Sequence, residues 1–455
     1  MASRRRSAQH VCAERKRGSA ALCALALAGV LLGACGHTGN HDRAAQAARE
    51  PELFPATPKR LALQRPDGRA AVDVLIANLE RAVEQHPTKG DLWVDLGRAW
   101  VRKARTTPDP GFYINAQAAA DMALELDPAD SPALNLRGLV LVSNHRFEEA
   151  RALAQSLVEA HPEDPTALGT RSDALLELGR FEEAARSAQQ MMDLKPNLPS
   201  YSRASYFRWV QGDIEGAKHL ARLAIDCGGD ERDPEPRAWA MVQAALIFLH
   251  EGDYDGAEAG FDRALEQMPD FPPALAGKGR VAMARGEASR AALLLRRAHD
   301  ANPLAETAWL LGDARTMAGD AAGAQEAYAI VERTGKRTDR RTLALFWATK
   351  NTHAEEALML AQAERSVRGD LYTEDTLAWA LYRNGKFDEA RAVMERSLAQ
   401  HTRDARLLYH AGAIRLASGD RSGGTHLLES ALSLEQSFDF AGAAEARRLL
   451  ANAKR

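Results

Sequence analysis

A chain of 455 residues would ordinarily divide into two or three globular domains. With 45% hydrophobic and 27% charged residues but only 6% aromatics, this one draws its apolar content from Ala and Leu, which form helices and let them pack closely. The net charge of −3 offers no basic excess, which argues against nucleic acid as the main partner, because phosphate binding needs a basic face.

Residues 1–18 are basic, residues 19–34 (SAALCALALAGVLLGA) are apolar, and Cys35 comes directly after them, the order of an export signal. Leu32-Gly33-Ala34-Cys35 resembles the bacterial lipobox, and the resemblance implies cleavage before Cys35 and lipidation of that cysteine. Several acyl chains on Cys35 would hold the mature protein to a lipid bilayer. Gly36 stands where many lipoproteins retained in the inner membrane carry Asp, so the expected location is the periplasm-facing cell envelope, with the outer membrane preferred. Loss of residues 1–34 removes six of the 59 basic side chains and one of the 62 acids, which leaves the remainder acidic by eight charges. It also removes Cys12 and Cys23, so Cys227 is left as a lone thiol and packing alone must support the fold. Residues 35–69, polar and punctuated by Pro51, Pro55, Pro58 and Pro66, read as a tether reaching on the order of 30 Å.

Beyond the tether, VDVLIANLERAVEQHP is expected to be a helix that caps the downstream helices. Trp93, Leu96, Gly97 and Trp100 then fall on one helical face. A small residue recurs at Ala116, Ala150, Ala184, Ala217, Ala257, Ala291, Ala324, Ala357, Ala390 and Gly424, at intervals of 34, 34, 33, 40, 34, 33, 33, 33 and 34. Five residues before most of these anchors stands a turn glycine: Gly179, Gly212, Gly252, Gly286, Gly319, Gly385 and Gly419. Pro128, Pro162, Pro196, Pro269 and Pro303 stop the second helices.

This pattern resembles the tetratricopeptide repeat (TPR), and the chain is read as a bacterial TPR lipoprotein. The resemblance implies an all-α superhelix of about ten helix–turn–helix repeats over residues 70–437, closed by a capping helix at 438–455. A seven-residue insertion around TTPDPG and extra residues in CGGDERDPEPR are expected to form loops. The unit anchored on Ala357 is expected to be looser, having Arg341 at an apolar position and Asn351 to His353 in place of the turn glycine.

TPR solenoids bind partners along the concave face of their first helices. Carried over position by position, that role falls to Arg98, Arg203, Tyr206, Trp209, Gln243, Arg280, Trp309, Asp313, Phe346, Trp379, Tyr382, Arg383 and Tyr409. Trp379 and Tyr382 could instead pack between helices. The Lys and Asn clamp with which some relatives hold a C-terminal carboxylate is not reproduced, since Val94, Asp95, Arg98, Asn135, Leu136 and Leu139 occupy the comparable surface. No phosphate loop, nucleophile elbow or metal-ligand spacing occurs, and His250-Glu251 lacks a second His four residues on. The expectation is therefore a non-enzyme without cofactor, metal or evident small-molecule substrate: a membrane-anchored scaffold that binds a peptide or protein partner in its groove. The alternatives are an assembly factor for a pilus secretin or for outer-membrane protein insertion, or an activator of a cell-wall enzyme.

Overall fold

The computed structural model describes residues 57–107, 109–230 and 232–454. Within them are 23 helices and no strand. Cys35 and most of the expected tether lie outside the described residues. The chain forms two compact units, one ending at Leu194 and the other beginning at Lys195.

The first unit holds the capping helix Ala71–Gln85 and three repeats: Gly90–Thr106 with Phe112–Leu126, Ser131–Ser143 with Phe147–Ala160, and Pro165–Glu177 with Phe181–Leu194. Two expectations are corrected here. The tether ends earlier than residue 69, because Pro58–Ala62 is a short helix seated on the first repeat. Trp100 Nε1 donates to the Ala62 carbonyl at 3.0 Å and Asn115 Nδ2 to the Leu61 carbonyl at 2.6 Å, so this backbone is satisfied by the repeat it covers. The insertion near Pro108 is also not all loop: the first helix of that repeat runs 17 residues where the next runs 13, so part of the insertion extends the helix by a turn.

The second unit holds seven repeats, here the fourth to the tenth. They are Leu198–Val210 with Ile214–Asp226, Glu235–His250 with Tyr254–Gln267, Pro272–Ala284 with Ala288–Ala301, Ala305–Met317 with Ala321–Thr338, Arg340–Lys350 with Ala354–Arg365, Leu371–Arg383 with Phe387–Ser397, and Ala405–Ala417 with Arg421–Leu434. Gly442–Ala453 caps them. The residues added around Cys227 are shared between a turn and a 16-residue helix, Glu235–His250.

Local chemistry explains the repetition. All seven expected turn glycines have φ between +72° and +87°, a region that costs other residues about 1–2 kcal/mol. Where glycine is missing, His145 (φ 58°) and Asn351 (φ 54°) take the left-handed position. Aspartates cap many of the helices. Asp213, Asp253, Asp320 and Asp420 accept from backbone N–H groups at the starts of second helices, and Asp130, Asp164, Asp339, Asp370 and Asp404 do so at first helices. Each anchor alanine is buried, which lets the two helices of its repeat approach closely.

Within the second unit the curve brings its start against its end. Thr402 Oγ1 donates to the Val210 carbonyl at 2.7 Å across 192 residues of sequence. A Cβ added at Gly212 would stand 2.9 Å from the His401 carbonyl oxygen, and one added at Gly252 would stand 3.2 Å from that of Leu434. Seven repeats therefore make a turn that closes on itself, and their first helices face an interior.

Candidate functional site

That interior is a cavity of about 340 Å³. Among its lining residues are His250, Arg280, Glu306, Trp309, Asp313, Arg341, Tyr372, Asp404 and Arg406 from the first helices or their caps, together with Glu435 and the segment 436–440 that leads to the final helix. Its volume lies at the lower end of the roughly 300–1,000 Å³ typical of ligand clefts.

One part of the wall is internally paired. Asp313 Oδ1 accepts from Lys350 Nζ at 2.6 Å and from the Tyr328 hydroxyl at 2.6 Å. Arg341 meets Asp370 at 3.3 Å, and Arg368 Nε holds the other oxygen of Asp370 at 3.1 Å. The arginine read as erosion of the eighth repeat is thus a buried, paired wall residue. Asp404 caps its helix through the N–H groups of Arg406 and Leu407, accepts from the Tyr372 hydroxyl at 3.2 Å, and lies 3.8 Å from His250 Nδ1.

Another part is not. Arg280, Arg406, Glu306 and Glu435 make no ion pair within 4.0 Å among the described residues; Arg406 lies over the Tyr372 ring at 5.6 Å and its buried Nε has no hydrogen-bond partner. Burial pushes Glu306 up to about 7 against the opposing charges of Arg280 and Arg406, and burial likewise pushes Glu435 up to about 7. Burial, helped by the positive charges of Arg280 and Arg406, holds the imidazole of His250 below its ordinary range. His250 is 7% exposed and its Nε2 has no partner.

The residues expected to line a groove divide by position. Arg280, Trp309 and Asp313 line the cavity. Phe346 stands behind Trp309, with ring centroids 5.4 Å apart. Trp209 is buried against His250 at 5.2 Å, with the half-buried Tyr206 at 6.0 Å. Trp379 and Tyr409 do not present a binding face. Trp379 is 0% exposed, stacked on His410 at 3.9 Å and on Tyr382 at 4.8 Å, while the Tyr409 hydroxyl donates to Glu445 of the capping helix at 2.8 Å. Arg383 is also committed, lying 4.4 Å from the Trp379 ring, donating to the Ala348 carbonyl at 2.9 Å and reaching Glu445 at 3.3 Å. Arg203 is buried and donates to the Pro199 carbonyl at 3.2 Å, and Gln243 is half-buried. Arg98, in the first unit, meets Asp95 at 3.3 Å.

Sequence reasoning weighed His250 only as a metal ligand and passed over Glu306, Tyr372, Asp404, Arg406 and Glu435. A signal existed: Glu306, Tyr372 and Arg406 each stand 18 residues before their repeat's anchor, in the first turn of a first helix, where Pro132, Pro199 and Pro273 stand in earlier repeats.

The fold is an all-α TPR solenoid, a class of generally non-enzymatic scaffolds that bind protein partners. Family models described as Tetratricopeptide repeat match residues 111–165, 135–199 and 376–422, and a second model of the same description matches 248–311; no catalytic family is indicated. No curated protein matches the chain. Similar solved structures include the APC/C hetero-tetramer Cut9-Hcn1 (14% identity, covering 84% of this chain and 82% of that one, TM-score 0.41). They also include pilF of Pseudomonas aeruginosa (16%, 44% and 90%, 0.38) and the human IFIT1 dimer with PPP-AAAA (14%, 83% and 93%, 0.45). At TM-scores below 0.5 these likenesses carry nothing about this chain's partner.

Proposed function

We propose that the protein is a lipid-anchored scaffold of the bacterial cell envelope that takes a peptide ligand into the cavity of its seven-repeat unit. The observation that carries this reading is the set of unpaired charged side chains, Arg280, Arg406, Glu306 and Glu435, held on a cavity wall built from consecutive first helices. Glu435 is buried and the other three are half-buried; charge withdrawn from water without a partner is costly, and a bound chain with its own donors and acceptors offsets that cost. The reaction is binding alone. The anchor would be Cys35, supported by the L-G-A-C sequence that ends the apolar stretch.

A photo-crosslinking side chain placed at Leu310, on the cavity wall, tests the site in the intact protein in cells. Mass spectrometry should identify a discrete set of crosslinked peptides; crosslinks from outward-facing Leu293 with none from Leu310 would overturn the site. A pilus secretin or insertion pore as the source of the peptide would narrow the role to assembly. For the anchor, Cys35→Ala should release the protein from the membrane fraction, and continued tight fractionation would sink that part.

A further inference from the structure

The unpaired groups in the cavity carry both signs. Arg280 and Arg406 provide two guanidinium groups, Glu306 and Glu435 two carboxyls, and none is within 4.0 Å of an opposite partner among the described residues. Opposite charges facing a common space without meeting call for something between them that bears both signs. A simple anion would answer the arginines and leave the carboxylates more strained. A simple cation would do the reverse, and an internal peptide segment brings backbone donors and acceptors but no formal charge, so it answers both signs only in part. A third observation points the same way: His250 Nε2 reaches the cavity wall buried and unpartnered. Trp309 and Tyr372, both buried and both on the wall, provide apolar surface for a side chain.

We infer that the cavity binds a small zwitterion of the amino-acid class, a short peptide or free amino acid, with its α-carboxylate toward Arg280 and Arg406 and its α-ammonium toward Glu306 and Glu435. This rests on the cavity being the binding site, and it narrows the ligand from any peptide to one whose two ends are both free. Charge-assisted hydrogen bonds at both ends explain why the wall keeps charges it does not pair internally. No bond is made or broken. At neutral pH the ammonium favours the ionised forms of Glu306 and Glu435, so binding expels protons to the buffer.

The test uses the intact chain. Free amino acids and Ala-X dipeptides are screened by thermal shift. The best binder is then titrated calorimetrically at pH 7 in two buffers of different ionisation enthalpy, beside its N-acetylated and its C-amidated forms. Binding with net proton release is expected, together with at least tenfold weaker binding of each blocked form. Glu306→Gln should weaken binding about tenfold and reduce the proton release, while Arg280→Met should weaken it without abolishing the release; circular dichroism checks that both variants are folded. A blocked form that binds as tightly as the free one, or a screen without any binder while longer peptides crosslink at Leu310, overturns the inference and leaves the peptide-binding reading standing. If nothing enters the cavity in either experiment, both fall.

Discussion

Replacing Trp379 by Ala tests whether the aromatic cluster of the ninth repeat supports the fold or receives a partner. The indole is wholly buried among His410, Tyr382, Tyr409 and the Arg383 guanidinium, with centroid separations of 3.9, 4.8, 5.4 and 4.4 Å. Removing a buried Trp side chain costs about 3–5 kcal/mol once the cavity left behind is included. In a solenoid that cost falls on the repeat and its neighbours, here the eighth, the tenth and the cap. Arg383 would lose the ring beneath its guanidinium while still bridging the Ala348 carbonyl and Glu445. Trp379→Phe should cost much less, about 1 kcal/mol, because the indole Nε1 has no partner and its loss recovers some of the roughly 1–3 kcal/mol spent on burying an orphan donor. The assay is urea unfolding followed by far-UV circular dichroism, with limited proteolysis to locate the first cuts. The Ala variant should unfold at lower urea and be cut first within residues 340–455. An unchanged unfolding curve combined with lost peptide capture would refute the reasoning and return Trp379 to a binding surface.

Gly212→Ala places a Cβ against the His401 carbonyl in a turn already at φ +75°, so it should destabilise the closure of the second unit by more than the roughly 1–2 kcal/mol of the left-handed backbone alone, read as earlier urea unfolding. Thr402→Val keeps the shape and removes the hydrogen bond to Val210; it should cost about 1 kcal/mol and raise hydrogen exchange on both sides of the closure. Stability should also depend on pH through Glu306 and Glu435. Their folded pKa values, about 7, lie above the ordinary 4.5, so their contribution is complete below about 4.5 and is lost as pH rises through about 7. The double variant Glu306→Gln, Glu435→Gln should flatten the melting temperature across that window, and an unchanged slope would show that other groups set it. Lys350→Met strands Asp313, whose carboxyl pKa burial already raises, and should destabilise the seventh and eighth repeats, with Asp313→Asn restoring part of the loss.

The repeat period, the turn glycines and the helix stops were legible in the sequence because each acts within a few residues of itself. Gly179 or Gly419 is required by its own turn whatever surrounds it, and the Asp caps belong to the same local grammar although they went unread. Burial was less legible. Trp309 and Trp379 both stand on first helices of regular repeats, yet one lines the cavity and the other lies under Tyr382 and His410. Their register on the helix differs by a few residues, and the neighbouring repeat decides what each register faces. Arg341 read as a flaw until Asp370, 29 residues further on, appeared as its partner.

The closure of the second unit could not be seen in the chain at all. Each repeat adds a small rotation to the one before, and only the sum over seven brings Thr402 to the Val210 carbonyl and deepens a groove into a cavity. The sequence by itself determined that the described chain would be a solenoid of ten helix pairs, because that comes from local spacing. The tertiary structure alone decided which charges are paired and which face the cavity unpaired, because pairing depends on distances that no single repeat contains.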